Sequence, residues 1–410
     1  MGLGRYARDI YVLGAVRVLR SFTFGYIAFV LPLYLEHIGF RPEGIGLYAL
    51  IATVSSAALT LASGWLGDLY SRRRTLAVVS LLPAGTYSIL LATRQEPIVM
   101  ASAAFGLTLS PMGGGSGGGP VAPLQTAMVA SRVGAAERTR VYSMLTMASI
   151  LSALAGSAFS GAVIRAYRAD YYQVLLLLAL VVTVSTSGLV LAISEEADRL
   201  ATASSRRSVL PRRSATNIGK VSLAGMMGSL GLGLVMALIP VYFKDVGASE
   251  LEVSIIYDAS YAATALSMLA APRAERLLGP VKSILVLRGL GSALLAAIPF
   301  LPLPAAAAVY VARSALYQAA LPIRQNVSME LYSPDERSRG LSITGLFRRL
   351  PYGVAAAVGS ILFQAGLFAL LFAAAGAVSL LDPVLYYAFF RYVDRGQGWR
   401  PREAGPGNSP

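Results

Sequence analysis

The stretch Gly64-Trp65-Leu66-Gly67-Asp68-Leu69-Tyr70-Ser71-Arg72-Arg73-Arg74 decides how this chain is read. The residues before it, 45–66, are uncharged and long enough to cross a bilayer. So is the run from Thr75 to about Thr93. A hairpin this short between two spans, with one acid and three consecutive arginines, reads as a charged cytoplasmic turn by the positive-inside rule.

The composition agrees. Hydrophobic residues make up 55% of the chain and charged residues 14%, and the mean hydropathy is +0.61. Those values lie outside the soluble range. Apolar runs of about 20 residues recur along the whole chain, where a cleaved signal peptide would stand alone. The net charge of +14 invites a nucleic-acid reading. The basic residues sit between spans rather than on one soluble face, so lipid and membrane orientation explain them and no nucleic-acid partner is expected. With no cysteine, disulfides, thiolate metal sites and cysteine nucleophiles are excluded together. The lone histidine, His37, sits beside Glu36 in an outer loop and makes no metal site.

Hydropathy places spans near 13–35, 45–67, 74–94, 98–131, 140–164 and 172–193. The polar stretch Ser194–Lys220 follows, and a second set lies near 221–243, 252–274, 283–303, 305–331, 341–363 and 366–390. The domain reading is therefore a six-helix bundle over 1–193, a cytoplasmic linker over 194–220, a second bundle over 221–393 and a disordered tail over 394–410. With both termini inside, only Arg41, Arg94, Arg165, Arg168 and Lys244 fall in external loops, and Arg313 falls mid-span. Every other basic residue reads as cytoplasmic, some within the inner turns of helices.

The halves repeat one another. Pro32, Tyr34 and Gly39 recur 208 positions later as Pro240, Tyr242 and Gly247. Pro123, Glu137, Arg138, Arg140 and Ser143 recur 199 positions later as Pro322, Glu336, Arg337, Arg339 and Ser342. Two parallel halves joined by a polar linker suit alternating access, in which one half rocks on the other around a central site.

The hairpin resembles the glycine–aspartate–arginine loop between helices 2 and 3 of the major facilitator superfamily, a large class of secondary transporters. In that pattern Gly64, Asp68, Arg72 and Arg73 match, whereas Leu69 replaces a basic residue and Ser71 replaces a second glycine. A weaker echo runs from Ala271 to Gly279. The resemblance covers essentially residues 10–393. It implies an all-α integral membrane fold of 12 transmembrane helices in two parallel pseudo-symmetric bundles. It implies a conformational gate at Gly64, Asp68, Arg72 and Arg73, with Glu137, Arg138, Glu336 and Arg337 on the loops that meet it. An acid among arginines at such an interface pairs in one state and lets go in the other, biasing the switch by about a kcal/mol.

Ionisable groups inside spans are costly, so each is a functional candidate. Arg17 and Arg20 lie three apart in the inner part of span 1, within reach of the headgroups. Arg313 sits near the midplane with Tyr310, Tyr317 and Gln318 nearby in sequence, and Asp258 is flanked by Tyr257 and Tyr261. Asp258 reads as the most deeply placed acid, with Arg313 as its counter-charge or as the clamp of an anionic substrate. Asp382, followed by Pro383, reads as peripheral. An acid in a partly dry cavity exchanges protons nearer neutrality than one in water, so Asp258, Arg313, Tyr257, Gln318, Arg17 and Arg20 are the substrate or coupling candidates.

Span 4 carries Gly113-Gly114-Gly115-Ser116-Gly117-Gly118-Gly119-Pro120, which holds a lipid-facing helix poorly. Broken backbone at that depth belongs against protein or a wet cavity, and the helix end after Pro120 suits an anionic or carbonyl-bearing solute. Close helix packing through small residues is the alternative. No Gly-Lys-Ser/Thr follows, so no nucleotide site is expected. In span 5, Gly156-Ser157-Ala158-Phe159-Ser160-Gly161 stands where drug:proton antiporters of the family carry a glycine–proline motif, and the proline is missing.

The expected function is therefore a monomeric secondary transporter of a small solute in the plasma membrane, driven by a proton or solute gradient and expected to be proton-coupled, with efflux of a hydrophobic or amphipathic compound and uptake of a small metabolite both open. It needs no cofactor and no metal. The other readings are a transporter-shaped sensor without flux and a polytopic membrane enzyme. The enzyme would need an acid cluster for a metal–diphosphate, and no such cluster borders a span.

Overall fold

The computed structural model describes residues 2–107, 119–133, 135–167, 170–194, 213–333 and 336–394, and every regular element among them is helical. The first half contains α1 (Gly2–His37), α2 (Pro42–Leu69), α3 (Arg72–Ala92), α4 (Glu96–Ser102), α5 (Ala122–Arg132), α6 (Ala135–Tyr167) and α7 (Tyr171–Val190). The second contains α8 (Ala215–Met236), α9 (Ile239–Asp245), α10 (Glu250–Leu278), α11 (Pro280–Ala297), α12 (Leu303–Leu331), α13 (Arg337–Gln364) and α14 (Phe368–Asp394). Ten segments are long and apolar enough to cross a membrane, with α8 and α9 counted as one. The 29-residue α12 has the length but carries Arg313, Gln318, Arg324 and Gln325. The fourth crossing is represented by α4, a short 3-10 turn and α5.

Most of the glycine run expected to break span 4 lies outside the described residues, with 108–118, as do most of the linker, 195–212, and the tail from 395; its last glycine, Gly119, takes a φ of 79°. Pro120 precedes α5, and Pro123 occupies its first turn.

The sequence repeats reappear as geometry. Gly39 and Gly247, 208 positions apart, take positive φ of 101° and 104° after α1 and α9. Each turn is closed in the same way, by Phe40 N–H on Leu35 O and by Ala248 N–H on Phe243 O. Only glycine enters that backbone region without steric cost. The paired prolines differ, because α1 runs on through Pro32 while the second copy breaks between α8 and α9, just before Pro240.

Packing repeats too. In the first half α1 lies on α6 and α3 on α7, and in the second half α8 lies on α13 and α11 on α14. An added Cβ at Gly25 would strike the Ala153 carbonyl, and one at Gly233 would strike the Tyr352 carbonyl, the same pair shifted by 208 and 199. Backbones that approach this closely are how helices associate where no hydrophobic drive separates protein from lipid.

The halves touch mainly where α2 meets α13 and α6 meets α10. These two seams are images of one another under the repeat. The start of α1 and the end of α14 lie at one face of the bundle, here the terminal face; the α1–α2 turn and the α9–α10 turn lie at the other, the distal face.

Candidate functional site

The distal closure is built from equivalent positions. Lys244 Nζ lies 3.2 Å from Glu36 Oε2 and 3.7 Å from Glu250. Glu36 and Lys244 are 208 positions apart, so the same place in each repeat carries opposite charge and the pair straddles the pseudo-twofold axis. Just below, an added Cβ at Gly46 of α2 would strike Ser360 of α13, and one at Gly161 of α6 would lie 3.0 Å from Ser254 Oγ of α10. Gly46 and Ser254 are repeat equivalents, and so are Gly161 and Ser360. Glycine on one helix receives serine from the other in both seams.

Below this closure Tyr257 is buried and its ring lies 4.9 Å from Phe29 of the other half. Tyr310 stacks behind it at 5.9 Å. One residue further along α10 the side chain turns by about 100°. Asp258 therefore faces Ser157 of α6, and its Oδ1 is sealed from solvent without a hydrogen bond. Among the described residues no ion pair joins it to Arg313. Arg313 is buried, with Nη1 3.5 Å from Met236 Sδ and its guanidinium 5.2 Å from the Tyr317 ring. Gln318 follows on the same helix, half-buried.

The deepest acid is Asp382, not Asp258. It is 0% exposed and sits in the core of the second bundle, so the peripheral reading is overturned. Arg324 Nη1 lies 2.8 Å from each of its oxygens, and Arg288 Nη1 also donates to Oδ2. Arg288 donates to Tyr317 as well, at 3.3 Å, and its guanidinium lies 4.3 Å from that ring. Room is made by α8: a Cβ at Gly228 would come 2.8 Å from Asp382 Oδ2, and one at Gly225 would come 3.0 Å from Arg348 Cγ and Cδ. Arg288, Arg324 and Arg348 read from sequence as inner-turn residues. Helices α11 and α13 begin at 280 and 337, three and four residues before their hydropathy limits, which moves Arg288 and Arg348 inward. The available signal was Asp382 itself: an acid in an otherwise uncharged span requires a cation beside it.

In the first half Arg17 turns toward α6. Its Nε and Nη2 donate to Ser149 Oγ at 3.1 Å and Thr146 Oγ1 at 3.2 Å on α6. Arg20 lies near Tyr87. Ser149 is the repeat equivalent of Arg348, and Arg17 that of Gly225, so the arginine has changed helix between halves. In the span 5 motif, Gly156 packs on the Phe22 carbonyl while Gly161 faces α10.

At the hairpin, Ser71 caps α3 by accepting the Arg74 N–H, a use for the residue that replaces glycine. Arg73 Nη1 donates to the Leu191 and Ile193 carbonyls beyond α7, at 3.3 and 3.2 Å. Gly64 meets nothing within 4 Å, whereas a Cβ at Gly67 would strike Leu124, so the tight position is Gly67. Arg72 begins α3. Glu336 is buried and accepts the Arg213 and Ser214 N–H groups at 3.1 and 2.7 Å, tying α13 to the start of α8. The side chains of Asp68, Glu137, Arg138 and Arg337 lie outside the described residues. Among the described residues no group of His, Asp and Glu is placed to hold a metal ion.

Two six-helix halves in parallel repeat, closed against one another around a polar interior, define a multi-pass membrane transporter. The chain belongs to the Major Facilitator Superfamily, whose family model matches residues 13–220 and again 221–410. The fold is similar to that of a D-xylose-proton symporter, with TM-score 0.71 at 15% identity over 93% of this chain and 98% of that one. It is similar to nucleoside transporter NupG, with TM-score 0.69 at 12% identity over 94% and 99%. The inward open conformation of the xylose transporter XylE from E. coli gives TM-score 0.67 at 14% identity over 93% and 96%. A comparison with curated protein sequences gives no match.

Proposed function

We propose that this protein is a proton-coupled secondary transporter that moves a small solute across the plasma membrane by alternating access. It acts as a monomer with both termini cytoplasmic, its halves spanning 1–193 and 221–393 and joined by 194–220. The observation that carries this reading is the symmetric distal closure. Two equivalent seams, α2 with α13 and α6 with α10, part together when one half rocks on the other, and a single rotation then exposes the interior to the opposite side. The excess of basic residues in the loops read as cytoplasmic supports this orientation of the terminal face.

Asp258 is the proposed proton carrier. Its carboxyl lies at the α6–α10 seam with one oxygen dry and unbonded, and desolvation there changes as the halves part. The test is counterflow and proton-driven uptake in proteoliposomes. Asp258→Asn is expected to abolish proton-driven accumulation while leaving exchange of solute for solute. Proton-driven uptake at the wild-type rate in that variant would remove Asp258 from coupling, and absence of any counterflow across a panel of metabolites and drugs would favour a sensor.

A further inference from the structure

We propose that the transported solute is an organic anion, and that its acidic group is held on the guanidinium face formed by Arg288, Arg313 and Arg348 around Tyr317. This inference rests on the transporter reading above and adds the substrate class.

The first ground is charge. Three arginines, Arg288, Arg324 and Arg348, gather on the single carboxylate of Asp382. Its two oxygens are occupied by Arg324 and Arg288, and Arg348 forms no ion pair among the described residues. Arg313 adds a further cation across the same tyrosine ring. Buried charge in membrane-embedded protein requires compensation, and the one carboxylate of Asp382 serves Arg288, Arg324 and Arg348 together.

The second ground is unspent donors. A guanidinium carries five N–H groups and no acceptor. Arg288 is fully buried, yet its Nε and Nη2 bond to nothing, and Arg348 Nε is buried without a partner as well. These donors suit the two or three oxygens of a carboxylate or phosphate.

The third ground is comparison within the molecule. The repeat equivalents of Arg288, Arg324 and Arg348 in the first half are Ser80, Gln125 and Ser149. The same helix packing is therefore built once without a charge at the places of Arg288 and Arg324, whereas the place of Arg348 is met from α1 by Arg17. Arg348 is half-buried, and its neighbour Arg349, turned about 100° around the helix, donates to Thr60 of α2 in the other half. The aromatic wall of Phe29, Tyr257 and Tyr310 would cover the carbon body, which a bare inorganic ion lacks.

The test uses the full chain in nanodiscs at constant ionic strength. Thermal unfolding is followed with succinate, benzoate, glucose 6-phosphate, inorganic phosphate, chloride and glucose. At least one of the three organic anions is expected to raise the unfolding temperature saturably, with no effect of glucose. Arg348→Gln is expected to raise the half-saturating concentration by about tenfold or more, and R348K is expected to recover part of it. Because Arg348 pairs with no acid, its loss leaves no buried carboxylate unmatched, and the ligand-free unfolding temperature should not fall. An equal response in R348Q, no response to any organic anion, or a response confined to phosphate and chloride would each overturn the proposal. Counterflow of a neutral solute unaltered by R348Q would leave transport standing and remove the anion site. Anion binding that depends on Arg348, with no flux of the bound anion, would do the reverse.

Discussion

Arg324 meets Asp382 with one nitrogen, Nη1, held 2.8 Å from both carboxylate oxygens, 58 residues away along the chain. The remaining reach of the carboxylate goes to Arg288. One acid thus bridges α11, α12 and α14 inside the second bundle, and its partners have no alternative anion within the described residues. Removing it leaves two cations buried without a counter-charge.

Asp382→Asn should therefore destabilise the protein by about 3–5 kcal/mol, the cost of breaking a buried pair from one side. Unfolding in detergent by heat or denaturant measures this. A change below about 1 kcal/mol would mean that water already reaches the cluster.

Gly228→Ala acts on the same carboxylate from the opposite side. The new methyl would stand 2.8 Å from Asp382 Oδ2 and 3.0 Å from its Cβ, so the acid or α8 must shift. A loss of about 1–3 kcal/mol is expected. Gly219→Ala, on the same helix with nothing within 4 Å, serves as the control and should be neutral or slightly stabilising.

Charge reversal tests the distal closure. Lys244 and Glu36 are each a quarter to a third exposed, so the pair is worth about 1 kcal/mol or less. Lys244→Glu would put three acids together and should open the distal face. Because the chain has no cysteine, Ser254→Cys provides a clean reporter for a membrane-impermeant maleimide. Labelling should accelerate about fivefold in K244E and return most of the way in the E36K/K244E double variant. Equal labelling in all three would separate the pair from gating.

The paired seams allow a ranking. An alanine at Gly46 would strike Ser360 outright, whereas one at Gly161 would stand 3.0 Å from the Ser254 hydroxyl, which can turn aside. Gly46→Ala should favour the distal-open state more strongly than G161A. Accessibility of a single cysteine placed at Phe29 compares them, and the reverse order would mean that the seams do not share the closure equally.

The sequence by itself determined the class of protein. Runs of about 20 apolar residues and the charge between them are local along the chain, and a bilayer reads them locally, so twelve crossings and the repeat were legible. The offsets of 208 and 199 carried further than expected, since they also relate Glu36 to Lys244 and Gly46–Ser360 to Ser254–Gly161. What only the tertiary structure decided is which side chains share an interior. Tyr257 and Asp258 are neighbours in sequence, yet a helix turns about 100° per residue, so one packs on Phe29 and Tyr310 while the other faces α6. Arg288 and Asp382 lie 94 positions apart, and nothing in the residues around either names the other. Hydropathy measures how deep a residue lies along a span. The rotation of the span, and hence its partners, follows from how the described helices pack at once.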